Sequence, residues 1–67
     1  MKACLIPFKG GSTDRVVLAD REVEFTYRPL AGDLIEPSMF DDIDFPMIIQ
    51  KVEHTKDGML NVYAHED

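Results

Sequence analysis

The chain has one cysteine, Cys4, no tryptophan and only two histidines. A single thiol cannot form an internal disulfide, and no Cys/His set has the spacing of a structural metal site. Long apolar runs are absent too. The most apolar opening stretch, "ACLIPF", is too short for the hydrophobic region of a signal peptide and far too short to span a membrane. A lone cysteine without an export signal fits a reducing compartment, so the expectation is a cytoplasmic protein with no membrane partner. Basic residues are missing altogether from Pro29 to Gln50.

That last absence organises the charge. Residues 1–28 balance five basic against four acidic side chains. Residues 29–50 carry Asp33, Glu36, Asp41, Asp42 and Asp44 with nothing to offset them, and together with residues 51–67 they bring the net charge to −6. Direct binding to nucleic acid is disfavoured, because phosphate contacts need Lys and Arg. A protein with a basic patch is the more natural partner.

What is present suits one small globular domain over residues 1–67: 45% hydrophobic and 30% charged residues. A chain this short buries only about 60% of its unfolded surface, so its stability is marginal unless something adds to it. A homo-oligomer is one such addition.

No segment shows sustained helical periodicity, whereas β-branched and aromatic residues alternate with polar ones, so strands are predicted throughout. "KACLIPF" (2–8) is the first, with Pro7 suggesting an edge or a strand end. "KGGSTD" (9–14) reads as a connection. "RVVLADREVEFTYRP" reads as a hairpin turning at Asp20-Arg21, with Leu18 opposite Val23 and Val16 opposite Phe25. "DLIEP" (33–37) is a short fourth strand. In "MIIQKVEHTKDGMLNVYAHE" Asp57-Gly58 marks a turn. The implied register pairs Val52 with Val62, His54 with Leu60 and Gln50 with Ala64. It puts Ile48, Val52, Leu60, Val62 and Ala64 on the core face, and Ile49, Met59 and Tyr63 on a mixed outer face that is a candidate for self-association.

Five to six short strands with tight turns suggest a small antiparallel barrel. In strand lengths and turns it resembles the SH3-like barrels, a likeness that carries no functional residues across. The first and last strands are the expected edges.

The stretch "SMFDDIDFP" (38–46) carries most of the functional interest. As a cation loop it fails, having no glycine at the sixth place from Asp41 and Val52 rather than glutamate at the twelfth. Two compatible readings stay open. Phe40, Ile43 and Phe45 could plug a barrel end, with Ser38 capping a single helical turn. Alternatively Asp33, Glu36, Phe40, Asp41, Asp42, Ile43, Asp44 and Phe45 form an acidic, apolar surface that docks on a partner.

"FKGGSTDR" offers a weaker alternative. Lys9, Gly10, Gly11, Arg15 and, further on, Arg28 are the places where a nucleotide or another small anion would bind, although a Walker A loop is not present. His54 and His65 fall on opposite faces of the last hairpin and form no acid–base pair. Cys4 lies in an apolar strand, where thiols are usually inert. No catalytic signature and no cofactor motif emerges.

The expectation is therefore a non-enzymatic, acidic protein-binding module, a regulator or inhibitor of the kind that phages and other mobile elements often encode. A nucleic-acid mimic and an oligomeric nucleotide-sequestering protein are the alternatives.

Overall fold

A computed structural model describes residues 1–10 and 14–67. It is all-β, and its described residues include no α-helix. The strands are β1 (Lys2–Lys9), β2 (Val16–Val17), β3 (Arg21–Glu24), β4 (Leu34–Ile35), β5 (Met47–His54) and β6 (Leu60–Glu66), with one 3-10 turn at Pro37–Met39. They form a single mixed sheet in the order β2-β1-β6-β5-β4, and β3 joins β2 along the outer side of β1. The sheet does not close. It therefore differs from the antiparallel barrel expected, because β1 and β6 run parallel.

The first and last strands are not edges but the centre of the sheet. The reason lies in "ACLIPF", which is apolar at successive positions and so can be covered on both faces, the pattern of an interior strand. Pro7 is tolerated there because of where its missing N–H falls. Met1 and Phe25 exchange backbone hydrogen bonds at 2.6 and 2.8 Å. Alternation along the ladder then turns the peptide groups of Ala3, Leu5 and Pro7 toward the same neighbour. At Pro7 that neighbour is the break between β2 and β3. The proline carbonyl still accepts from Leu18 N–H at 2.9 Å, and no partner is left waiting for the absent donor.

The expected hairpin at Asp20-Arg21 does not form. Val16–Val17 pair with Phe8 and Lys9, and Arg21–Glu24 pair with Lys2–Leu5, so residues 16–24 run as one interrupted strand alongside β1. A two-residue hairpin needs positive φ at its centre, which Asp-Arg supplies poorly. The strand "DLIEP" shrinks to Leu34–Ile35.

The final hairpin holds its expected register from the turn to Lys51, pairing His54 with Leu60, Val52 with Val62 and Lys51 with Tyr63. Gly58 takes φ +86° at the turn, and Thr55 N–H donates to Met59 C=O at 3.2 Å. Beyond Lys51 a bulge at Gln50 shifts the pairing, so Ala64 faces Ile49 instead of Gln50. An unbroken ladder would have turned Gln50 inward and left Met47 and Ile49 in water. The bulge reverses all three. Met47 and Ile49 are buried, Gln50 is exposed and Ile48 moves to the outer face.

The inner face of the sheet carries the core: Ala3, Leu5, Ile35, Met47, Ile49, Leu60, Val62 and Ala64, completed by Ile43 and Phe45 from the segment before β5. Leu18, Val23, Phe25, Phe40 and Val52 pack around it.

Candidate interaction surface at the open end of the sheet

Between β4 and β5 the chain makes no long strand; it crosses the open side of the sheet. Pro37 opens the 3-10 turn, as its fixed φ allows. The residue before the turn is Glu36 and makes no side-chain cap; Ser38 Oγ instead donates to Glu36 Oε2 at 3.3 Å. Past the turn, apolar and acidic residues separate by direction. Ile43 is 2% exposed and Phe45 9%, whereas Asp41, Asp42 and Asp44 all lie in solvent. Phe40 is half-buried against the core edge.

This crossing is fastened by Arg21. Its guanidinium donates to Asp42 Oδ1 at 2.5 Å and to the Ala19 carbonyl at 3.0 and 3.1 Å, and it lies 5.4 Å from the centre of the Phe40 ring. The arginine thus ties β3 to the acidic crossing and covers Phe40. Its hydrogen bond holds the Asp42 carboxyl below the usual carboxylate range.

Of the residues expected to meet a partner, Ile43 and Phe45 are therefore within the core and out of a partner's reach, because they supply apolar cover to the inner face of the sheet. Asp33 closes a tight turn, accepting from Leu30 N–H at 2.9 Å. Asp42 is committed to Arg21. Asp41, Asp44 and the outer oxygens of Glu36 and Asp33 face solvent.

An exposed apolar patch lies beside these acids, around Tyr27, Leu34 and Met39, which sequence reasoning did not assign to a partner. A groove of about 320 Å³ runs between the end of β3 and β4, lined by Phe25, Tyr27, Pro29, Leu34, Ile35, Met39 and Ile49 with Glu24, Arg28 and Asp33. Tyr27 is 83% exposed, Leu34 66% and Met39 47%. Large apolar side chains this open, grouped around one concavity, are unusual on a chain with so little core to spare. The signal that could have found them is "EFTYRPLAGDLI": an apolar residue on each side of a Pro/Gly bend, where a strand pattern stops without a paired continuation.

Among the described residues of the alternative anion site, Arg28 is set apart from Lys9, Gly10 and Arg15. Lys9 and Arg28 lie at opposite ends of β1, about 20 Å apart at the rise of a strand. Arg28 shares a second groove of about 230 Å³ with Met1, Lys2, His54, Gly58 and Leu60. Gly10 has φ +96°, and its N–H donates to Glu66 Oε1 at 2.9 Å. Arg15 Nη1 donates to Gln50 Oε1 at 2.9 Å. Gly11 lies outside the described residues.

His54 is exposed, and its Nε2 is 2.9 Å from Arg28 Nη2, with the guanidinium as donor. An arginine, not an acid, is thus its neighbour. His65 is half-buried, with Nδ1 2.9 Å from the Glu66 carbonyl oxygen. Among the described residues no three His, Cys, Asp or Glu side chains cluster as metal ligands, and no helix is long and apolar enough to cross a membrane. No protein-family model matches the chain, and neither a curated protein nor a solved structure matches it.

Proposed function

We propose that this chain is a non-enzymatic protein-binding module that engages a basic, partly apolar segment of a partner at the open end of its sheet. The observation that carries the reading is the groove between β3 and β4. Three exposed apolar side chains, Tyr27, Leu34 and Met39, stand around it. Glu24, Asp33 and Arg28 line the groove itself, and the surrounding span from Pro29 to Gln50 bears five acids and no base. A buried aromatic or aliphatic anchor from the partner would supply affinity, and the acids would speed encounter and fix orientation. In this reading Ile43 and Phe45 act from beneath, holding the acidic crossing in place.

The bent sheet serves as a scaffold in the way small SH3-like domains do, with irregular connections presenting the binding residues. A regulator or inhibitor acting in the cytoplasm by occupying a basic surface fits this chemistry.

A photo-crosslinking residue placed at Met39 in the native host tests the proposal. It should capture a protein whose cross-linked segment carries Lys or Arg, and capture should weaken when Asp41 and Asp44 are replaced by Asn. Equal capture from position 39 and from Asp20, which is exposed and outside the groove, would contradict it.

A further inference from the structure

The outer face of the sheet carries a second surface, one that bears both signs of charge. Cross-strand partners share a face, so the pairs Val17–Phe8, Phe8–His65, His65–Ile48 and Ile48–Leu34 place one continuous row across β2, β1, β6, β5 and β4. Ile6 and Tyr63, also partners, stand immediately beside it. Five strands at about 4.8 Å spacing make this row about 19 Å long. Val17 and Leu34 at its ends are 59% and 66% exposed, and the residues between are half-buried. An open sheet with one solvated face normally alternates apolar and polar along each strand. β1 instead is apolar on both faces, as in a strand that is covered on both.

We infer that this outer face is covered by a second copy of the same chain, forming a symmetric dimer. Charge selects the occupant. On this face Lys2 is 3.6 Å from Glu22, Glu24 is 2.7 Å from the Met1 amine, and Lys51 lies 4.6 Å from the centre of the Tyr63 ring. Glu53, on the same face, accepts from Asn61 and Tyr63; the face thus carries both signs in comparable number, so two copies can meet with unlike charges opposed. The acidic end could not pair with itself in this way.

Size sets a bound: the molecule measures 31 × 23 × 21 Å, so no single face exceeds roughly 700 Å² in projection, on the scale of the ~800 Å² that each partner gives up in a standard interface. An isologous pairing of two sheet faces also supplies the apolar burial that a 67-residue chain lacks on its own. Of the exposed apolar residues around the groove only Leu34 belongs to this row, so the dimer shares that one side chain with the groove, while Tyr27 and Met39 lie outside the row.

Sedimentation equilibrium of the purified chain over micromolar to hundred-micromolar concentrations tests the inference. It should yield twice the 7.6 kDa chain mass. Ile48→Lys and Val17→Lys should each raise the dimer dissociation constant tenfold or more with the circular dichroism of the fold retained. Val17, being largely exposed, cannot unfold the chain by its loss. A mass of 7.6 kDa at every concentration overturns the dimer, and a dimer indifferent to both substitutions overturns its assignment to this face.

Discussion

The β5–β6 hairpin and the crossing from Pro29 to Phe45 are consecutive in the chain and both contribute to one core, but they do so by different means. The hairpin uses a period of two: alternate residues point inward, and the backbone satisfies itself across a ladder. The crossing has two strand residues, one 3-10 turn and no ladder of its own beyond Leu34–Ile35. It buries Ile43 and Phe45 by irregular geometry and leaves its acids in water. Regular pairing makes structure that tolerates exposed-face changes. Aperiodic packing makes a surface whose shape depends on a few anchors, which is what a recognition site requires.

The largest effects should come from removing anchors in either region. Leu5→Ala and Val62→Ala empty fully buried positions, and Ile43→Ala does the same from the crossing. Each should cost about 2–5 kcal/mol. A domain of this length holds only about 3–10 kcal/mol in total, so chemical denaturation should find all three near or past unfolding. If Ile43→Ala alone left the midpoint unchanged, the crossing would be a passenger rather than part of the core.

A smaller, local effect should follow from Arg21→Ala, which removes the link to Asp42 and uncovers Phe40. Amide exchange should accelerate across residues 40–44 while β5 and β6 keep their protection, separating the two regions by rate. Uniform acceleration would mean that they open together.

The smallest effect should appear on acidification. Asp42 is held low by the Arg21 hydrogen bond, Glu24 by the Met1 amine, Glu53 by Asn61 and Tyr63, and Asp57 by Thr55. A carboxyl with a lowered folded-state value contributes stability that is fully present above its ordinary value and fades as pH falls through the folded one. Stability should thus be flat near neutrality and decline below about pH 4. Because these groups are exposed, the decline should be shallow. Asp42→Asn should remove part of it, and an unchanged acid limb would detach the ion pair from folding.

How much was legible in the residues follows the same division. The last hairpin's turn and near-turn pairs were readable because Asp57-Gly58 and the alternation agree. The Gln50 bulge was not, since choosing between Ile48 and Ile49 requires knowing that Met47 must also turn inward. Pro7 misled by a sound rule, because only the tertiary break between β2 and β3 shows that its missing donor faces no acceptor. In the acidic stretch the separation of Ile43 and Phe45 from the aspartates was readable from polarity. The groove was not, because Tyr27, Leu34 and Met39 meet only through the return of the chain at Gly32.

The central claim is that apolar residues at this open end divide between support and recognition, and Tyr27→Ala tests it most directly. The variant should keep the wild-type melting temperature within a degree or two, because the Tyr27 ring is 83% exposed, and should lose most of any protein partner that co-purifies with the native chain from its host. Retention of that partner at wild-type yield, or a melting point lowered as far as that of Ile43→Ala, would contradict the account.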